Sequence, residues 1–327
     1  MAVKKLKNLS TIWRSIYHYK KGSIILPYMP NALWIEPTNV CNLKCIMCPN
    51  SIVKNQNPGY MDMGVYTKII DEAKYFASYV TLCLSGESLL HKSFPDMVAY
   101  AKTHDLSVYL STNATVMTPE ISRKIITAGL DWINFSFDGV TKETYEKIRV
   151  NACFEKTLGY IIEFLKIKKE LCSRTIAEIQ IIVIDKKGQL EYEANREKFC
   201  ANFDGLPLDS IQLRTPSTWG GYFLNTDKYE PKKNAPIRFS PCSYLWSSLH
   251  VLWDGTIVAC TSDFFGTNIL GKFPDKSLKQ IWNDAPMQQF RKAMLQKVYL
   301  SYNKNCEACD ALWEPAIAGL PLSLIHI

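Results

Sequence analysis

The chain has 327 residues, 47% of them hydrophobic and 21% charged, and a formal net charge of +7. Such a composition buries one large core, or one core and a smaller unit, and excludes a disordered or membrane-embedded chain. The positive excess is too diffuse for a nucleic-acid surface; it suits an anionic cofactor or an acidic electron-donor protein.

Residues 1–31 form a basic extension with no secretory leader and no apolar run long enough to span a bilayer. Within it, Leu9–Tyr19 has amphipathic helical spacing, with Ile12, Trp13, Ile16 and Tyr17 on the apolar side. That side is expected to pack on the barrel, with a membrane-surface contact as the alternative. Eleven cysteines without a leader read as reduced thiols and metal ligands, with the cytoplasm as the expected location.

Short β-branched runs then alternate with amphipathic stretches. The predicted strands are Ala32–Glu36, Tyr79–Ser85, Ser107–Ser111, Trp132–Ser136, Glu178–Ile184 and Ser210–Leu213. The predicted helices are Gly64–Ala77, Phe94–Thr103, Pro119–Ala128, Thr141–Ile148, Phe154–Leu171 and Gln189–Ala201. Thr118-Pro119 is a helix start and Gly129 a stop. Six strand–helix units in a row predict an α/β fold whose parallel sheet curls into a barrel, two units short of a closed one. In such sheets the chemistry collects at the carboxyl ends of the strands.

Directly after the first strand come Cys41, Cys45 and Cys48 in C-x3-C-x2-C spacing. Three thiolates this close can hold one metal centre. A 4Fe-4S cube held by three leaves one iron open to a small molecule, whereas structural zinc asks for four ligands. Half a zinc site and three buried thiols are the alternatives. Later strand ends carry Gly86-Glu87, Ser111-Thr112-Asn113 and Ser136-Phe137-Asp138-Gly139, and Tyr145-Glu146-Lys147-Ile148-Arg149 follows.

Together these motifs resemble the radical S-adenosylmethionine (SAM) enzymes over residues 32 to about 215. The departures are Met47 where an aromatic residue is usual, Ser85 and Ser88 around Gly86-Glu87, and Ala114 in place of a glycine. The resemblance implies a radical SAM (β/α)6 partial TIM barrel with a 4Fe-4S cluster on Cys41, Cys45 and Cys48. It further implies SAM bound at the open iron and cleaved reductively to a 5′-deoxyadenosyl radical that abstracts substrate hydrogen. Gly86 and Glu87 would then meet the methionine ammonium of SAM. Asn113 and Ser136 become candidates for its ribose and methionine moiety, and Arg149 for its carboxylate. Asp138 reads as the cap of the following helix.

Gly220-Gly221, Pro231, Pro236 and Pro241 punctuate the next stretch, so a boundary is expected near Gly220, with the barrel at 32–219 and a second unit at 220–316. A β-hairpin, Leu249–Trp253 and Thr256–Cys260, turns at Asp254-Gly255, and helical patterns at Ser277–Trp282 and Pro286–Lys297 follow. Cys242, Cys260, Cys306 and Cys309 form C-x17-C…C-x2-C, enough to fill a second cube or a tetrahedral zinc site. The arrangement resembles the twitch domain, a short relative of the SPASM domain found after many radical SAM barrels, and implies an auxiliary 4Fe-4S cluster. Its spacing is most similar to that of the 2-deoxy-scyllo-inosamine dehydrogenases, which oxidise a ring alcohol. Pro315 and Gly319 stand where a full SPASM domain continues with cysteines. Cys83, Cys153, Cys172 and Cys200 are expected to be buried, inert thiols. In the tail, 317–327, the run Pro321–Ile327 carries no helix or strand pattern and resembles translated adapter sequence.

The expected activity is a two-electron oxidation of a small polyol, sugar or amino-sugar, with the auxiliary cluster as electron acceptor and a flavodoxin- or ferredoxin-type protein as donor. Arg214, at the end of the sixth strand, is the polar candidate to bind the substrate or serve as base. A peptide-modifying maturase is the rival, disfavoured because about 30 residues ahead of the first strand are too few for a peptide-recognition domain. A non-catalytic iron–sulfur or zinc protein is the other alternative.

Overall fold

The computed structural model describes residues 2–53, 57–223 and 239–312, with the backbone of 316–317 and 320–321. Helix α1 (Ala2–Lys21) precedes strand β1 (Ala32–Ile35), and the short α2 (Pro49–Ile52) follows. Then come α3 (Met63–Ala73), β2 (Tyr79–Thr81), α4 (Phe94–Thr103), β3 (Ser107–Thr112), α5 (Pro119–Thr127) and β4 (Trp132–Ser136). Next are α6 (Lys142–Ile148), α7 (Phe154–Glu170), β5 (Ile176–Ile182), α8 (Lys186–Cys200) and β6 (Ser210–Arg214). The C-terminal part holds α9 (Tyr244–Ser247), β7 (Ser248–Val251), β8 (Thr256–Val258), β9 (Ile269–Lys272), α10 (Leu278–Trp282) and α11 (Ala285–Leu295). A two-residue ladder, β10 (Ala316–Ile317) with β11 (Leu320–Pro321), ends the described chain.

Helix starts are set by local chemistry. Thr118 caps α5 by accepting from Ile121 N, with Pro119 in the first turn, as its sequence predicts. Asp62 caps α3 through the amides of Gly64 and Val65. Asp185 caps α8 through Gly188 N, so that helix begins at Lys186 and not at the predicted Gln189.

Strands β1 to β6 pair in parallel in the order β6-β5-β4-β3-β2-β1, the partial barrel of the predicted α/β class. Their residues alternate strictly. Leu33, Val80, Val108, Leu110, Ile133, Phe135, Ala177 and Ile179 face outward into the main core beneath the helices. Each large apolar side chain buried there contributes about 1.5–3 kcal/mol. Apart from Ala32, Ile176 and Ile182, the other parity is polar or aromatic: Trp34, Thr81, Tyr109, Ser111, Trp132, Asn134, Ser136, Glu178, Gln180 and Gln212 face the lumen. A parallel sheet packed on both sides reads as continuous apolar runs; here one face is apolar and the other carries mainly hydrogen-bonding and aromatic side chains.

The predicted hairpin forms as β7 and β8, and β9, unforeseen in the sequence, adds a third antiparallel strand. β7 also pairs in parallel with β1, making one nine-stranded sheet. Helix α1 differs in detail from its expected docking. Among its described side chains Ser15 and Tyr19 are buried, whereas Trp13 and Tyr17 are exposed. Tyr19 packs edge-on against Trp246 and donates to Pro241 O at 2.7 Å, so α1 lies on the C-terminal part. Of the four spare cysteines, Cys83 is buried, but Cys153, Cys172 and Cys200 are exposed, each near the end of a surface helix. Pro321, expected to lie outside any strand, pairs with Ala316; residues 322–327 lie outside the described residues. No described helix is long and apolar enough to cross a membrane.

His250 on β7 is fully buried between Trp34 and Tyr244, with ring centroids 6.3 and 5.2 Å away. Burial lowers its imidazole from 6.5 to about 3. The unfolded chain therefore takes up a proton there at a pH where the folded chain does not, and stability falls as pH drops from about 6.5 towards 3. A His250→Phe variant is expected to lose this component, up to about 1.4 kcal/mol per pH unit. Urea midpoints across that pH range provide the check; an unchanged slope would refute it.

Candidate functional site

The three predicted cluster cysteines lie in the loop that leaves β1. Its first turn is fixed by side chains: Thr38 Oγ1 donates to Gly59 O at 2.6 Å and accepts from Val40 N, and Asn39 exchanges bonds with Asn57 O and Gly59 N. Asn50 Nδ2 donates to the carbonyls of Asn39 and Ser85. On the far side, Lys44 N and Ile46 N donate to Val150 O and Ile148 O. The loop rests on an apolar bed of Leu43, Met47, Ile148, Ile182 and Phe223 that is separate from the main core.

Gly86 lies against this loop so closely that a Cβ would sit 2.2 Å from Thr38 O and 2.6 Å from Val40 O. Glu87 N donates to Val40 O at 2.9 Å. The Glu87 carboxylate is buried and accepts from Leu89 N, Thr112 Oγ1 and Asn113 N at 2.7–3.0 Å. Burial raises its proton affinity, opposed by those donors and by Arg149. Three of about four acceptor positions are taken, leaving one for a ligand. Asn113 Nδ2 lies 3.8 Å from Cys41 Sγ and 3.2 Å from Asn42 Oδ1, while Ser136 Oγ on the lumen side is 3.3 Å from Ser111 Oγ.

Asp138 does not cap the next helix; Thr141 does, accepting from Thr144 N. Asp138 is wholly buried and binds Arg149 Nε at 2.8 Å and Nη2 at 2.5 Å, and its other oxygen accepts from Ile182 N. A backbone turn at Gly139, with φ of 145°, sends the chain over Tyr145 N, 2.5 Å from where a Cβ would sit. The Arg149 guanidinium reaches Cys45 Sγ at 3.7 Å.

The donor set fits an iron–sulfur cube. Burial raises all three thiols, Cys41 to about 12, so binding a metal there as thiolates would release protons. Among the described residues, the only three Cys, His, Asp or Glu ligand atoms mutually within 4.8 Å belong to Glu146, Cys153 and Glu155. The sulfurs of neither cysteine set therefore converge as on a single zinc, where Zn–S bonds of about 2.3 Å put sulfurs about 3.8 Å apart. Exposed Cys153 and Glu155 are engaged with each other and with Lys142.

The lumen supplies residues that motif matching missed. Glu178 accepts from Trp132 Nε1, Ser210 Oγ and Gln212 Nε2 at 2.8–3.2 Å. Asn134 Nδ2 donates to Gln180 Oε1, and its buried Oδ1 has no hydrogen-bond partner. Period-two alternation in register with Ser136 was the signal that marks them. On β1–β6 the inner face holds one carboxylate, Glu178, and one cation, Arg214. Arg214 is exposed, with Nη2 on Gln212 Oε1.

Cys242, Cys260, Cys306 and Cys309 gather at the end of the sheet extension. Cys260 is raised by burial and then by Cys242 and Cys309, and Cys306 is raised by burial and then by Cys260 and Cys309. Buried Asp263 shapes the loop after Cys260 by accepting from Thr267 N and Asn268 N. Asp310, next to Cys309, accepts from Ser217 Oγ, Thr218 N and Thr218 Oγ1, which ties the last cysteine pair to the segment after β6.

A three-cysteine loop after the first strand of an open parallel barrel, with a separate set of four cysteines, marks the iron–sulfur class of proteins. Residues 35–177 match the Radical SAM superfamily, and residues 242–310 match SPASM, an iron-sulfur cluster-binding domain. The chain is 33% identical to the tungsten-containing aldehyde ferredoxin oxidoreductase cofactor-modifying protein of Pyrococcus furiosus, over 85% of this chain and 88% of that one. It is 30% identical to the AdoMet-dependent heme synthase of Methanosarcina barkeri over 42% of this chain, and spans only 40% of that relative's length. The fold is shared with SuiB of Streptococcus suis bound to S-adenosylmethionine (TM-score 0.66, 16% identity, 91% of this chain and 75% of that chain). It is shared too with BtrN in complex with AdoMet and 2-DOIA (TM-score 0.56, 17% identity, 86% and 93%). The chain belongs to the radical SAM superfamily, and its cofactors are SAM, a 4Fe-4S cluster and an auxiliary iron–sulfur cluster.

Because Gly86 has no room for a methyl group, Gly86→Ala must push β2 away from the cysteine loop. The expected cost is about 1–3 kcal/mol of stability and a clear fall in iron bound after anaerobic reconstitution. Full iron loading at wild-type stability would show that the close approach is dispensable.

Proposed function

We propose that this enzyme oxidises a small polar molecule by two electrons within the barrel lumen. The observation that carries the reading is the inner face itself, a row of neutral hydrogen-bonding groups with one carboxylate and one cation. When bound, SAM and the two clusters supply the 5′-deoxyadenosyl radical that removes a substrate hydrogen atom and the acceptor for the second electron.

The chain's own residues do the rest. Asn134, with its unpartnered Oδ1, and Gln180 and Gln212 beside it offer acceptors and donors suited to a polyol, sugar or amino-sugar. Glu178 takes the proton released as the substrate carbon becomes a carbonyl or imine. Arg214 cannot serve as that base, because a guanidinium stays protonated; as a cation at the lumen rim it anchors the substrate. The apolar bed of Leu43, Met47, Ile148, Ile182 and Phe223 keeps water from the cysteine loop. The relative from Pyrococcus furiosus, matched over most of both chains, is described as cofactor-modifying, and a polar cofactor or its precursor belongs to the same chemical class. A flavodoxin- or ferredoxin-type protein is the proposed electron donor, consistent with the net charge of +7.

Anaerobically reconstituted enzyme with SAM and a strong reductant is expected to form 5′-deoxyadenosine, and Cys41→Ala to abolish it. With a panel of deuterated polyols and amino-sugars, label should pass into 5′-deoxyadenosine, and Glu178→Gln should lower turnover about 10²–10⁴-fold. Label transfer only from a peptide would replace the small-molecule reading. Undiminished product in a Cys306→Ala/Cys309→Ala variant would remove the auxiliary cluster as electron acceptor.

A further inference from the structure

Arg149 has an ambiguous position for a residue that would bind SAM. Its Nε and Nη2 are both committed to Asp138, which is fully buried and held in turn by Ile182 N. The remaining nitrogen, Nη1, lies 3.7 Å from Cys45 Sγ, within reach of an N–H···S hydrogen bond. The guanidinium is nine-tenths buried, and Asp138 keeps it charged. Asn113 makes a second contact of the same kind, with Nδ2 at 3.8 Å from Cys41 Sγ, and its own Oδ1 is fixed by Thr115 N and Oγ1. Cys48 receives no side-chain N–H bond among the described residues, although the Arg149 charge acts on it too.

From this geometry we propose that Arg149, with Asn113 as a weaker second donor, is a positioning residue that raises the reduction potential of the cluster on the cysteine loop. Hydrogen bonds to cluster sulfurs and nearby charge are among the terms that set such potentials. The reduced cluster carries one more negative charge than the oxidised one. The Nη1 N–H and the guanidinium charge, the latter partly offset by Asp138, favour that state, and Asp138 already holds the guanidinium in place. In low-dielectric surroundings the effect of the charge is larger than it would be in water. Asp138 therefore acts through Arg149, and neither side chain needs to contact SAM or substrate. The proposal rests on the cysteine loop holding the cluster.

The test is a potentiometric titration followed by electron paramagnetic resonance on full-length, anaerobically reconstituted protein. The loop cluster is identified in the wild type as the component whose spectrum changes when SAM is added and that is missing from Cys41→Ala, and in each variant it is followed by that component's SAM-free signal. In Arg149→Gln the SAM-responsive component is expected to be at least about tenfold harder to reduce, a midpoint about 59 mV more negative for one electron. Asn113→Ala should shift in the same direction by less. Normal iron content with an unshifted midpoint in Arg149→Gln overturns the proposal. So does a normal midpoint with loss of the SAM-induced spectral change, which would assign Arg149 to the SAM carboxylate. If Arg149→Gln does not assemble a cluster, the Asn113→Ala midpoint decides: more negative supports the N–H···S account, and unchanged overturns it. Absence of iron from the wild-type loop would instead count against the cluster itself.

Discussion

At Gly86 the end of the second strand meets the cysteine loop with no room for a side chain, and Glu87 N then bonds to Val40 O. That contact holds the cysteine loop against the segment that follows β2. Glu87 carries the constraint onward, because its buried carboxylate collects the amides of Leu89 and Asn113 and the hydroxyl of Thr112. Strand ends β2 and β3 are thereby locked to the loop that carries Cys41, Cys45 and Cys48. A buried carboxylate is tolerated there only because its acceptors are used.

A second buried carboxylate plays the matching part on the other side. Glu36, at the end of β1, accepts from Ser85 N and Oγ on one oxygen and from Trp253 N on the other. It joins the cysteine loop's root, the second strand and the tip of the β7–β8 hairpin. Trp253 in turn covers Gly59, whose missing side chain leaves room for the indole. Burial raises the proton affinity of Glu36, opposed by the three donors. The barrel and the extension of its sheet are thus coupled through groups that sequence motifs pass over.

The barrel was legible in the sequence because its determinants are local. Period-two strands, Thr118-Pro119 and the cysteine spacings each act within a few residues, and strand β4 and helix α4 emerge at their expected bounds. What escaped notice depends on register across the sheet. Asp138 looked like a cap because it follows a strand, yet its partner Arg149 lies eleven residues on and its second partner, Ile182, on another strand. Glu178 and Asn134 have no motif at all; only parallel pairing brings them beside Ser136 and Gln212. Trp13 and Tyr17 misled because an amphipathic helix does not state which neighbour will cover it, and α1 docks by Tyr19 against residues more than two hundred positions away.

The parallel pairing of β7 with β1 gives the two halves of the molecule a common spine. Excising the cysteine-rich portion would strip β1 of its neighbour and bare a row of main-chain amides and carbonyls, an invitation to edge-to-edge association. The auxiliary segment therefore behaves as the sheet's own terminating cover, and grafting a different one in evolution demands a strand able to continue the same ladder.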